Sequence, residues 1–189
     1  MILKTSTPVI IDSVNKMIKR AGTRNPEDIC EVYHIDITEA NLMKRLKAYY
    51  FYQSRIHNIV IDESIVDVFR RILIAHELGH FSLHKKIAMM QGFQELEVLE
   101  KRDTEPLETE ANLFAAELLL PDEDVLECLR DYTFFETAKI LNVPFALLDF
   151  KYSILQSKDY QIASMGLRKA TFLKDDLGAY DTGVYEDSL

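Results

Sequence analysis

Cysteine is scarce in this sequence: among 189 residues only Cys30 and Cys128 carry a thiol, far apart and in no metal-binding or redox spacing. A disulfide framework is thereby excluded, and both side chains read as reduced core thiols of a cytoplasmic protein. Long apolar runs are lacking as well. No stretch approaches the roughly 18 residues that a membrane helix needs, and Met1 to Arg20 is broken by Pro8 and Lys16 without an apolar h-region. Neither a membrane span nor an export signal is expected. Positive charge is the third deficit: 22 Lys and Arg face 31 Asp and Glu, a formal net charge of −9. That balance argues against a surface that tracks phosphates, so direct nucleic-acid binding is not expected. The small group Lys16, Lys19 and Arg20 reads as the solvated side of a helix.

What is present suffices for a core. Hydrophobic residues make up 48% of the chain, and a chain of this length buries roughly 70% of its unfolded surface, so no staples are needed. Residues 10–21 show helical periodicity through Ile11, Val14, Met17 and Ile18 and stop at Gly22. A short helix follows over residues 26–33. Residues 46–52 and 56–61, rich in aromatic and β-branched side chains, flank Gln53-Ser54-Arg55 and predict a hairpin. Tyr49, Tyr50 and Tyr52 invite a role as oxyanion donors, but aromatic positions on a strand more often pack.

The most informative stretch is His76-Glu77-Leu78-Gly79-His80. Four residues on a helix advance about 6 Å and turn about 40° past a full circle, so both imidazoles project to one side. Two neutral ring nitrogens there can reach one Zn²⁺ at roughly 2.0–2.1 Å, while Glu77, about 100° round, can address a water beside the metal without ligating it. This is the arrangement of zinc hydrolases, with Glu as general base. Upstream, Ile65, Val66, Phe69, Ile72 and Leu73 recur at threes and fours after Asp62-Glu63-Ser64, which predicts a helix from about Ser64 to Lys86. Gly79 inside it costs about 1 kcal/mol relative to Ala and points to a close approach of backbone or substrate. His84, two turns below His76, is placed to flank the site rather than to ligate. His34 and His57 stand alone and read as structural or surface residues.

A catalytic zinc needs a third protein ligand and an open position. Residues 108–120 read as a second helix, with Ala111, Phe114, Ala115, Leu118 and Leu119 as an apolar stripe and Pro121 as its end. Glu108 lies about 50° from the centre of that stripe and Glu110 about 110° away, so Glu108 is the better-placed ligand and Glu110 the rival that meets water. Asn112, one turn after Glu108, can orient a ligating side chain or can be a solvated helix residue.

The phrase Ala75-His76-Glu77-Leu78-Gly79-His80-Phe81-Ser82-Leu83-His84, with Glu108-x-x-Ala111-Asn112-x-Phe114-Ala115-Ala116-Glu117-Leu118-Leu119-Leu120-Pro121, resembles the ImmA/IrrE family of zinc metallopeptidases. The likeness is close over residues 58–121. It implies His76, His80 and Glu108 as zinc ligands and Glu77 as base. It also implies an α+β fold, mostly helical, with a small antiparallel sheet before the active-site helix, and site-specific cutting of a protein, a repressor-type transcription factor of a phage or mobile element. A regulatory module that sequesters such a factor without cleaving it is the alternative, which Glu77 disfavours. Residues 1–170 are expected to form one domain, with 58–121 as active-site core and 122–165 as a helical C-terminal part. There, Asp122-Glu123-Asp124 begins one helix, and two more around Asn142-Val143-Pro144 have the rhythm of a helix-turn-helix. The second carries Asp149 and Lys151 but no Arg, which favours core or partner docking over DNA reading. Residues 171–189, acidic and broken at Gly178 and Gly183, read as a flexible tail.

Overall fold

The computed structural model describes residues 5–42, 46–91, 101–158 and 160; the predicted acidic tail over 171–189 lies outside them. Helix α1 (Thr7–Ala21) ends where Gly22 takes a left-handed φ of 72°, and its amide bonds back to the Ile18 carbonyl. Helix α2 (Pro26–Tyr33) begins with Asn25, whose side chain accepts from the Glu27 amide, and has Pro26 at its first position. Its exposed successor His34 closes it in the left-handed region.

Three strands follow: β1 (Ile35–Ala40), β2 (Ala48–Gln53) and β3 (Ile56–Asp62). β2 and β3 form the expected hairpin, pairing antiparallel from Ala48↔Ile61 to Gln53↔Ile56. Its two-residue turn puts both Ser54 and Arg55 at positive φ, 52° and 69°, the twist that suits a tight hairpin. β1 pairs parallel to β3, Ile35↔His57 to Ala40↔Asp62, so the sheet order is β1-β3-β2 and the sheet is mixed. The expected antiparallel pairing is thus that of the hairpin, and β1 extends it with a parallel edge. Its signal in the sequence is the alternation Ile35-Asp36-Ile37-Thr38.

Helix α3 (Asp67–Gln91) starts three residues later than Ser64. The side chain of Asp62 accepts from the Ser64 amide and hydroxyl and from the Leu42 amide, and the Ile65 amide bonds to the Asp62 carbonyl. Those bonds fold residues 62–65 into a turn, so the helix opens only beyond it. Helix α4 (Lys101–Leu119) begins seven residues ahead of Glu108 and runs through Pro106, a residue that ordinarily marks a helix boundary. All eleven residues from Glu110 to Leu120 are buried, because α1, α3 and α7 pack around this helix. Helices α5 (Asp122–Asp131), α6 (Phe134–Ile140) and α7 (Phe145–Ser157) complete the order.

The α6–α7 pair matches the two-helix rhythm, but α7 is a core helix. Leu147, Leu148, Ile154 and Leu155 are fully buried, and so is Lys151. The Lys151 ammonium donates to Glu117 and to Asp122, each at 2.5 Å, and Lys158 donates to the same two carboxylates at 2.7 Å. Its charge therefore points into the protein. The architecture is α+β: seven helices and three strands among the described residues. Cys30 and Cys128 are both free thiols, and burial pushes the Cys30 thiol up to about 12. No helix among the described residues is long and apolar enough to cross a membrane.

Candidate metal centre

Helix α3 carries His76, Glu77, His80 and His84, and α4 carries Glu108, Glu110 and Asn112. The two helices meet at Gly79. A Cβ built there would stand 2.9 Å from the Cα of Ala111 and 3.2 Å from its carbonyl oxygen, closer than a side chain tolerates. The glycine is thus explained by the close approach of a backbone. That contact sits between His76 and His80 on one helix and one turn from Glu108 on the other, which sets the depth at which their side chains meet.

They meet at a small triangle. The Nε2 atoms of His76 and His80 are 3.1 Å apart, and the Glu108 carboxylate oxygens stand 3.5 Å from the first and 3.7 Å from the second. Donors held about 2.0–2.1 Å from one tetrahedral ion stand about 3.4 Å from each other. The three residues therefore fit a metal ion without rearrangement, and one ligand atom from each lies within 4.8 Å of the others. His76 is buried, while the side chains of His80 and Glu108 are about one-fifth exposed, 18% and 19%, so the triangle opens to solvent on one side. Glu77 is buried beside His76 and adds its negative field to that imidazole.

The outer ring nitrogens are also engaged. His76 Nδ1 lies 2.8 Å from Asn112 Oδ1, an acceptor, so Nδ1 carries the proton and Nε2 presents its lone pair to the triangle. Burial opposes charging of His76, but the Glu108 carboxylate, Glu77 and Asn112 outweigh it and hold its pKa above the ordinary value. Burial lowers the pKa of His84 despite the neighbouring Glu110. His84 does not join the triangle: its Nδ1 is 3.0 Å from His80 Nδ1 and its Nε2 is 2.9 Å from Glu110 Oε2.

Glu110 corrects an expectation. It was expected to meet water, yet it is 1% exposed and accepts from the Thr5 amide at 2.6 Å as well as facing His84. An apolar stripe implies one wet side, and α4 has none over this stretch: α1, α3 and α7 surround it, and Thr5 meets Glu110 directly. Asn112 likewise is buried and bonded to His76, not solvated. Tyr50, Tyr52 and His57 form a separate cluster, with the Tyr50 hydroxyl 2.8 Å from His57 Nδ1 and the His57 ring against Tyr52 and Phe81. Tyr50 and Tyr52 pack here, while Tyr49 lies against Phe51 on the same strand.

The model of the IrrE N-terminal-like domain, a peptidase family, matches residues 30–153. An immunity region protein of Bacillus phage phi105 is 31% identical over 154 residues, covering 80% of this chain and 95% of its own. Metallopeptidase ImmA of Bacillus subtilis is 33% identical over 160 residues, covering 80% and 88%.

Proposed function

The chain belongs to the ImmA/IrrE family of metallopeptidases, and from that premise we propose that it is a cytoplasmic zinc-dependent endopeptidase that cuts a repressor-type transcription factor at a specific site. In this reading residues 1–170 are one domain, His76, His80 and Glu108 hold the zinc, and Glu77 is the general base. The observation that carries it is the donor triangle of 3.1, 3.5 and 3.7 Å with a carboxylate on the adjacent residue. A zinc ion there would polarise the scissile carbonyl and make a water acidic near neutral pH. The Glu77 carboxylate, lodged next to His76, takes a proton from the attacking water and delivers it to the leaving amine. Asn112 holds the His76 ring with its lone pair inward while this proceeds. The substrate class is supported by one relative's description as a phage immunity region protein and the other's as a metallopeptidase.

Glu77→Gln should retain metal, measured by elemental analysis, and lose cleavage by about two to four orders of magnitude, the usual range for a general base. His80→Ala should lose the metal itself. The substrate is tested by incubating the protein with the repressor product of a neighbouring gene, with and without a chelator. A chelator-sensitive cut is expected; chelator-insensitive binding without a cut would replace the reading with a sequestering module.

A further inference from the structure

We infer that Glu110 is a positioning residue for the metal centre, acting through His84 to fix the ring of His80. The inference rests on the metal reading above. As a carboxylate Glu110 offers acceptors only, and one of its oxygens is occupied by the Thr5 amide at 2.6 Å. The other faces His84 Nε2 at 2.9 Å, so that nitrogen carries the proton and donates. A neutral His84 then has its lone pair on Nδ1, which accepts from His80 Nδ1–H across 3.0 Å. The His80 tautomer follows: its Nε2 is the unprotonated nitrogen, and Nε2 is the atom that points into the triangle. Each bond in the chain leaves the next ring one choice. Reversing the His84 tautomer would set a lone pair against the carboxylate and put a proton on the His80 nitrogen that should bind metal.

His80 is thus oriented by two links, an imidazole and then a carboxylate, where His76 is oriented by one, the Asn112 oxygen. Both of the outer groups on α4 are buried, at 1% exposure, so solvent does not compete for these bonds. The far end of the chain is a backbone amide ahead of α1, and this ties the position of residue 5 to a ligand 75 residues away.

The test uses the full chain and Zn²⁺ alone, with affinity read by competition against a chromophoric chelator. Glu110→Gln puts an NH₂ donor where one of the two acceptor oxygens stood, so the Thr5 amide and His84 Nε2–H cannot both be met in place; zinc affinity is expected to fall about 10- to 100-fold, the usual cost of losing such a partner. His84→Ala should fall similarly, and the double variant should be no worse than the more affected single, because both break one chain. Unchanged zinc affinity in a folded Glu110→Gln protein overturns the inference, even if its melting temperature drops. Nitrogen-15 NMR of the zinc-loaded wild type gives a second reading that needs no variant. His84 protonated at Nε2 alone, with His80 protonated at Nδ1, is expected; His84 protonated at Nδ1 overturns it. Failure of the wild type to bind zinc would instead sink the metal reading itself.

Discussion

Asn112 and Glu110 stand two residues apart in a helical stretch with no wet side, and each ends on a ring nitrogen turned away from the donor triangle. Asn112→Ala would leave the His76 Nδ1–H buried without its acceptor. That costs about 1–3 kcal/mol of stability, and zinc affinity should fall roughly 10- to 100-fold; chelator competition and thermal unfolding measure the two, and unchanged affinity would contradict the His76 tautomer. At this scale legibility tracks locality. The convergence of His76 and His80 on one helix face could be read from spacing alone, because helix geometry fixes their relation. Asn112 was readable as a partner one turn beyond Glu108. Glu110 was not, because its surroundings come from Thr5 and His84, 105 and 26 residues away.

Elements were legible where their own sequence punctuates them. Gly22 ends α1, Asn25 and Pro26 open α2, and the hairpin lies where aromatic runs flank Ser54-Arg55. Boundaries slipped where side chains from elsewhere decide them, as when Asp62 draws Ser64 into a turn and delays α3. β1, as short as β2, was not legible because it is half-exposed and its partner β3 lies beyond an intervening strand. The α3–α4 crossing yields a prediction in which two effects oppose. Gly79→Ala gains about 1 kcal/mol of helix propensity, but its Cβ would meet Ala111 Cα at 2.9 Å, and overpacking of a close contact costs typically 1–3 kcal/mol. The clash is with backbone, so it wins. The variant should be less stable by up to about 2 kcal/mol and bind zinc more weakly, since pushing the helices apart moves Glu108 from the imidazoles; denaturant titration of the metal-free protein measures the first. A rise in stability would contradict the packing.

For the molecule as a whole, the cluster of Lys151, Lys158, Glu117 and Asp122 joins α4, α5 and the end of α7. Removing the fully buried member, Lys151→Met, should cost roughly 3 kcal/mol, the low end for breaking a buried pair because Lys158 still faces both carboxylates. Burial opposes the Asp122 charge, but the two ammonium groups prevail and hold its pKa below the ordinary 3.8. Its contribution is therefore complete above that value and lost as pH falls through the depressed one. Burial likewise opposes charging of Lys158, and Asp122 with Glu117 prevails, raising its pKa above 10.5. That contribution is complete below 10.5 and lost as pH rises through the raised value. The expected stability profile is flat with respect to Asp122 and Lys158 between those limits, and Lys158→Ala should remove the Lys158 alkaline limb in pH-dependent thermal melts. The Thr5–Glu110 bond has a consequence for synthesis. The Thr5 amide waits for an acceptor that the ribosome makes 105 residues later, so the wiring of His80 is finished only after α4 has left it. A nascent chain that already displays both imidazoles would still be a poor trap for metal, and the completed protein a good one.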